Sequence, residues 1–208
     1  MSDRPGILLV HGMGRTPLSM ALLAHRLRRG GLSVATFGYS AALEDLEPCL
    51  QRLRDRIQTT MADRPFLLVG HSLGSVLIRA VLPRLTVQPR ACVFLAPPSR
   101  SPKLARRLAK NPIYRWLTGD MGQRLADPAF MDALPSPAVP VTVFAGDAGS
   151  RSALLPFPGE PNDGVVSVEE ARLGPHHDPI RLPVLHTFIM NSRRVSDHVL
   201  ALTAEALR

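Results

Sequence analysis

Ser72 stands in Gly70-His71-Ser72-Leu73-Gly74, and the residues on either side give this pentapeptide chemical meaning. Ahead of it runs Pro65-Phe66-Leu67-Leu68-Val69, a short apolar run of buried-strand type. Behind it runs Ser75-Val76-Leu77-Ile78-Arg79-Ala80-Val81-Leu82, which reads as a helix. Strand, G-x-S-x-G and helix in succession spell a nucleophile elbow, a tight turn that lifts one hydroxyl clear of a sheet edge. Bulky side chains at 70 and 74 would collide with the closely approaching strand and helix, so glycine stands at both. The bland alternative is a Gly-rich turn with an ordinary capping serine, and it requires the rest of the machinery to be missing.

A serine hydroxyl alone is a poor nucleophile; it needs a base, a group that orients the base, and donors for an oxyanion. The apolar run Ile7-Leu8-Leu9-Val10 ends in His11-Gly12-Met13-Gly14, immediately before a helical pattern. Glycines there let backbone N–H groups face a reaction centre. An oxyanion hole on this architecture combines one such amide with the amide after the nucleophile, which nominates Met13 and Leu73. His11, Gly12 and His71 are supporting residues. Gly12-x-Gly14 after a strand would also suit a dinucleotide fold, but the third glycine would fall at Pro17. The second strand also runs out at Phe37-Gly38-Tyr39-Ser40, with no acid to hold a ribose.

Taken together, His11-Gly12-Met13-Gly14, Gly70-His71-Ser72-Leu73-Gly74, Asn162-Asp163-Gly164-Val165-Val166-Ser167 and a late His186 resemble the α/β-hydrolase superfamily, of lipase/esterase type. The resemblance spans nearly the whole chain. It implies a three-layer α/β/α sandwich on a mostly parallel six-stranded sheet, the superfamily's sheet without its first two strands, in the order 2-1-3-4-5-6. It also implies the chain order Ser…Asp…His. Two aspartates compete for the acid. Asp147 directly follows Val141-Thr142-Val143-Phe144-Ala145-Gly146, whereas Asp163 opens a segment resembling the one that carries the family's acid. Asp163 is favoured because Gly164 frees its backbone to present the carboxylate; Asp147 otherwise reads as a turn-capping or loop-anchoring residue.

Of seven histidines, His186 is the candidate base, because it follows Arg181-Leu182-Pro183-Val184-Leu185 at the carboxyl edge of a strand, where sites in open sheets form. Its bland reading is a buried histidine bonded to the backbone. His25 lies beside arginines in a helix, and His198 falls within the final helical pattern. His176-His177-Asp178 looks like a ligand cluster, yet adjacent residues point apart and Gly174, Pro175 and Pro179 mark an exposed loop. No metal and no cofactor are expected.

At 208 residues the chain is long enough for one domain with a full core, and an apolar fraction of 45% argues against disorder. No apolar run approaches the ~20 residues that span a bilayer, and Met1-Ser2-Asp3-Arg4-Pro5-Gly6 lacks a signal-peptide layout. Cys49 and Cys92 do not make a disulfide framework and read as small core residues, so a reducing cytoplasm is the default location. The formal charge of +8 could mean nucleic acid, but only 5% of residues are aromatic and no zinc-finger or RNA-binding signature is present, so no nucleic-acid partner is expected.

Strands are expected near 6–10, 33–38, 66–70, 91–95, 140–145 and 180–185, with helices near 18–29, 43–61, 74–85 and 193–207, the βα alternation of a parallel sheet. Residues 99–137 break the rhythm and are expected to form one or two short helices as a cap over the site. Lys103, Arg106, Arg107 and Lys110 precede Trp116 and Leu117 there. One reading is a cap touching lipid or an anionic surface, with Trp116 and Leu117 contacting substrate; the other is a solvated helix covering the sheet. Asp147 to Pro161 reads as a long loop.

The expected activity is cleavage of a small-molecule ester or lipid through Ser72, His186 and Asp163. An amidase, thioesterase or acyltransferase would use the same parts. A catalytically silent module of the same fold is the alternative from another class. Sequence leaves the substrate and the oligomeric state open.

Overall fold

Alternating apolar runs and amphipathic helices close on one six-stranded sheet. The computed structural model describes residues 5–61, 63–152 and 156–206. The first four residues, the end expected at 207 for the last helix and the middle of the 147–161 loop therefore lie outside the described residues. The strands are β1 (Gly6–Val10), β2 (Ser33–Phe37), β3 (Phe66–His71), β4 (Ala91–Leu95), β5 (Val141–Gly146) and β6 (Ile180–Leu182). Their order is β2-β1-β3-β4-β5-β6, and every neighbouring pair is parallel. This is the expected order.

Helices cover both faces. On one side lie α1 (Ala21–Arg29) and α8 (Arg193–Ala206); on the other lie α2 (Leu46–Met61) and α3 (Leu73–Val81). The strands obey the period of two. Leu8, Val10, Leu68, Cys92 and Phe94 face α2 and α3, while Ile7, Leu9, Leu67, Val69 and Val93 face α1 and α8. Burial on both faces explains why these strands read as unbroken apolar runs. Cys49 and Cys92 are buried in the first of these layers, and burial pushes both thiols up to about 12, far from a reactive thiolate.

Two expectations need correction. The 99–137 insert holds three helical segments rather than one or two: α4 (Lys103–Leu108), α5 (Pro112–Ala126) and α6 (Pro128–Ala133). Proline at the first helical position starts both α5 and α6, and Asn111 and Asp127 cap them. Gly119 breaks α5 with φ 54°, and a side chain there would strike the Ala41 carbonyl, so glycine stands at the break. Buried Met121, Leu125, Ala126 and Met131 join the α2/α3 layer, so much of the insert is core. The last strand also ends at Leu182, short of 185, since Pro183 has no N–H for the ladder. Before it in the chain lies α7 (Val168–Ala171), opened by a Ser167/Glu170 capping box, and after it a 3₁₀ segment, His186–Asn191.

No helix among the described residues is long and apolar enough to cross a membrane.

Candidate active site

Strand register brings the sequence motifs to one edge. Val10 pairs with Gly70 on one side and with Phe37 on the other, and Gly70 pairs with Phe94. The residues just past these pairs, His11-Gly12 and His71-Ser72, therefore leave the sheet side by side. A side chain on Gly12 would reach His71 Nδ1 at 2.8 Å and Ser72 Cβ at 3.1 Å, so glycine is what lets the loop after β1 lie against the elbow. Gly70 is similarly confined, with the Ser75 amide 2.6 Å from where a Cβ would stand, and Gly74 abuts the Val10 carbonyl.

Ser72 adopts φ 51° and ψ −121°, a left-handed backbone that a non-glycine residue holds only under constraint from its surroundings, at a cost of order 1–3 kcal/mol. It sits at the N-cap of α3, yet its side chain makes no capping hydrogen bond. That removes the ordinary capping serine as an explanation. The Leu73 amide follows as the first of the helix, where no intrahelical carbonyl exists for it. Among the described residues the Met13 amide donates to no protein group.

The candidate acid and the candidate base meet. His186 Nδ1 lies 2.7 Å from Asp163 Oδ2, and the His186 amide donates to the Asp163 carbonyl at 3.0 Å. Oδ1 of Asp163 accepts from the Val165 and Val166 amides at 2.9 and 2.8 Å. The carboxylate is buried and faces only donors, so its geometry is over-determined. Gly164, at φ 96°, gives the turn the conformation an L-residue resists. Asn162, fully buried, ties this turn down by accepting from the Gly164 amide and donating to the Ser150 and Glu160 carbonyls. Asn162 had no assigned role in the sequence reading, although an Asn two residues before a Gly is a known turn-former.

His71 packs against His186, with ring centroids 4.9 Å apart and Nε2 3.1 Å from the His186 carbonyl. That nitrogen must carry the proton. Burial, reinforced by nearby His186, holds the His71 imidazole well below its ordinary value, so it stays neutral. His11 is buried too, stacked on Tyr39, and burial likewise lowers its pKa. In the sequence Tyr39 is only the end of a strand; the signal for its contact with His11 is its place just past the carboxyl end of β2, which pairs with β1.

The other candidates fall elsewhere. Asp147 pairs with Arg181 at 2.9 Å. His198 Nε2 lies 2.9 Å from Thr142 Oγ1, and its ring meets Phe144 edge-on. His25 and His176 are exposed. Among the described residues no cluster of His, Cys, Asp or Glu could hold a metal ion. Trp116 and Leu117 are 77% and 53% exposed on α5. A cavity of about 890 Å³ opens between the insert and residues 160–173, lined by Arg79, Arg100, Lys103, Arg106, Glu160 and Glu169 among others, but not by Ser72, Asp163 or His186. Its charges are largely spent on one another, Lys103 with Glu160 and Arg100 with Glu169, as in a solvated cleft.

Residues 7–205 match the alpha/beta hydrolase family. The chain belongs to that family. Its fold is shared with a Bacillus licheniformis lipase, BlEst2, at a TM-score of 0.75 and 18% identity over 98% of this chain and 93% of that one. Metagenome-derived lipolytic enzymes described as LipS and LipT give a match with a TM-score of 0.72 and 14% identity over 99% and 95%. A thioesterase of prodiginine biosynthesis from Streptomyces coelicolor matches at 0.62 and 17% over 97% and 89%. No curated protein matches the sequence. At these identities the likeness is one of fold, and the residues of the site must carry the chemistry.

Proposed function

We propose that this member of the alpha/beta hydrolase family cleaves carboxylic esters by acyl transfer to Ser72. The observation that carries the reading is the His186 Nδ1–Asp163 Oδ2 contact of 2.7 Å, at the same sheet edge as a strained serine whose hydroxyl caps nothing. Ser72 Oγ attacks the ester carbon while His186 Nε2 takes its proton. Asp163 holds the Nδ1–H tautomer and stabilises the imidazolium. The Met13 and Leu73 amides receive the charge that develops on the carbonyl oxygen. His186 then protonates the departing alkoxide, and a water deprotonated by His186 releases the acid and frees Ser72.

For the substrate, the apolar rim supports an ester with a lipid-like acyl part. Exposed Leu18, Leu43, Trp116, Leu117, Leu185 and Phe188 all stand on segments leaving the carboxyl ends of the strands. Lys103, Arg106, Arg107 and Lys110 on the insert would favour weak contact with an anionic surface. A panel of p-nitrophenyl esters of rising chain length, extended to thioesters and anilides, tests the class. The parent chain should turn over esters, and Ser72→Ala should lose on the order of 10⁴ or more in kcat with an unchanged melting temperature. Comparable turnover by a folded Ser72→Ala chain would rule out the serine mechanism.

A further inference from the structure

Arg15 follows Gly12-Met13-Gly14 and is exposed. Its amide donates back to the Gly12 carbonyl at 3.3 Å, and Gly14, at φ 66°, lets the chain turn between them. The guanidinium reaches a segment far away in sequence: Nη2 donates to Thr187 Oγ1 at 2.7 Å, and Thr187 directly follows His186. A positive charge therefore stands between the loop that carries Met13 and the segment that carries His186. It is felt inside the site too. After burial and His186, the Arg15 charge is a further cause that keeps His71 neutral.

No carboxylate balances that charge. Among the described residues Arg15 forms no salt bridge, and its side chain bonds Thr187 alone. Arg52 and Arg181, by contrast, each hold a carboxylate, Glu44 and Asp147. The surroundings of Arg15 are apolar. The 3₁₀ segment Pro17–Met20, which follows it, packs on His186–Asn191, and the two segments expose Leu18 and Phe188. A ligand that covers these side chains excludes water from the guanidinium and strengthens its pull on an anion. The N–H groups left over by Thr187 form a fork that matches two oxygens of a carboxylate or phosphate. We infer that Arg15 is a specificity-determining residue that receives a carboxylate or phosphate carried by the substrate, so that the preferred ester is anionic near the bond that is cut. The inference rests on the proposed Ser72 mechanism and narrows its substrate class. A mere latch between the two segments would use the same Thr187 bond, but it would serve neutral and anionic esters equally.

Matched chromogenic esters separate charge from shape. On the acyl side, p-nitrophenyl esters of adipic and suberic acid with a free terminal carboxylate are set against their terminal methyl esters. On the alcohol side, the octanoyl ester of a hydroxynitrobenzoate is set against that of its methyl ester. Each rate is divided by that of the same ester with hydroxide. The parent chain should favour the anionic member on at least one side by roughly 5- to 50-fold in kcat/KM, mostly through KM, as for a partly exposed charge-assisted hydrogen bond. Arg15→Gln should bring that ratio to within about twofold of unity, whereas Thr187→Val, which removes the hydroxyl and leaves the charge, should keep it. Each ratio is read within one protein, so a variant that folds less well lowers both rates and leaves the ratio intact. A parent chain that treats charged and neutral esters alike, or an Arg15→Gln chain that keeps the preference, overturns the inference. So does a Thr187→Val chain that loses it together with Arg15→Gln, which would make Arg15 a latch. If the parent chain cleaves none of the esters and takes no fluorophosphonate label, the Ser72 reading fails first; labelling with equal rates on charged and neutral esters removes this inference alone.

Discussion

At the sheet edge, Asp163 has both carboxylate oxygens committed to donors inside the protein, whereas in the insert Trp116 lies largely in solvent. Among the described residues, Arg106, Arg107 and Lys110 of the insert form no salt bridge, whereas Lys103 pairs with Glu160. Yet the insert is not loosely attached. Arg79, buried on α3, donates to the Ser99, Leu134 and Pro135 carbonyls and so fastens both ends of the insert to the helix that follows Ser72. The two regions differ in what their polar groups are free to do. A site that must hold charge in one geometry satisfies each buried group internally. The exposed face of the insert leaves Trp116 and Leu117 open to solvent.

The largest break in that contrast should come from exchanging one oxygen for nitrogen at the edge. Asp163→Asn presents an amide that can donate to the imidazole and leave the wrong nitrogen protonated, which should cost about 10⁴ in kcat. Asp147→Asn, which loses only a half-solvated pair with Arg181, should cost about 0–1 kcal/mol of stability and leave kcat near the parent value. Steady-state kinetics with melting temperatures for both variants make the comparison. If the two exchange ranks in kcat, Asp147 is the acid.

A smaller effect should appear in the pH dependence of stability. His71, and less strongly His11, bind protons less readily folded than unfolded, where histidine titrates near ~6.5. Folding stability is therefore complete above that value and declines as pH falls below it. Each such group contributes up to about 1.4 kcal/mol per pH unit. For a chain of this size that means a Tm lower by roughly 2–4 °C per kcal/mol, readable by calorimetry between pH 7.5 and 5. His71→Gln, which keeps a donor for the His186 carbonyl but does not titrate, should flatten the slope. An unchanged slope would show that His71 accepts its proton while buried.

Least in size, and on the insert's side of the contrast, Trp116→Ala should lower kcat/KM progressively with acyl-chain length. Each methylene that loses its cover is worth up to about 0.8 kcal/mol. A loss independent of chain length would make this helix a structural cover and confine specificity to the edge.

The strands were legible because burial on both faces writes itself as apolar runs, and the glycines at 12, 70 and 74 mark where chain must pass close to chain; the order of the strands followed only from the resemblance to the α/β-hydrolase superfamily. Asp163 and His186 could be nominated, since the turn at Gly164 and the position of His186 after a strand are local signals and the chain order follows from the resemblance. The three-helix insert was harder to read: Gly119 interrupts α5, and its apolar residues are shared between core and solvent, which blurs the helical period. Tyr39 was missed for a different reason. Its partner His11 is 28 residues away on a neighbouring strand, and only the parallel register of β1 with β2 brings the rings together.

The most direct test of the central proposal is intact-mass analysis after exposure to an alkyl fluorophosphonate, followed by peptide mapping. Attack by Oγ forms the Ser–phosphorus bond and expels fluoride. A single adduct on the peptide containing Ser72, absent from Ser72→Ala and slowed in Asp163→Asn, is the predicted result. An unlabelled parent chain, or an adduct that persists at another residue in Ser72→Ala, would contradict it.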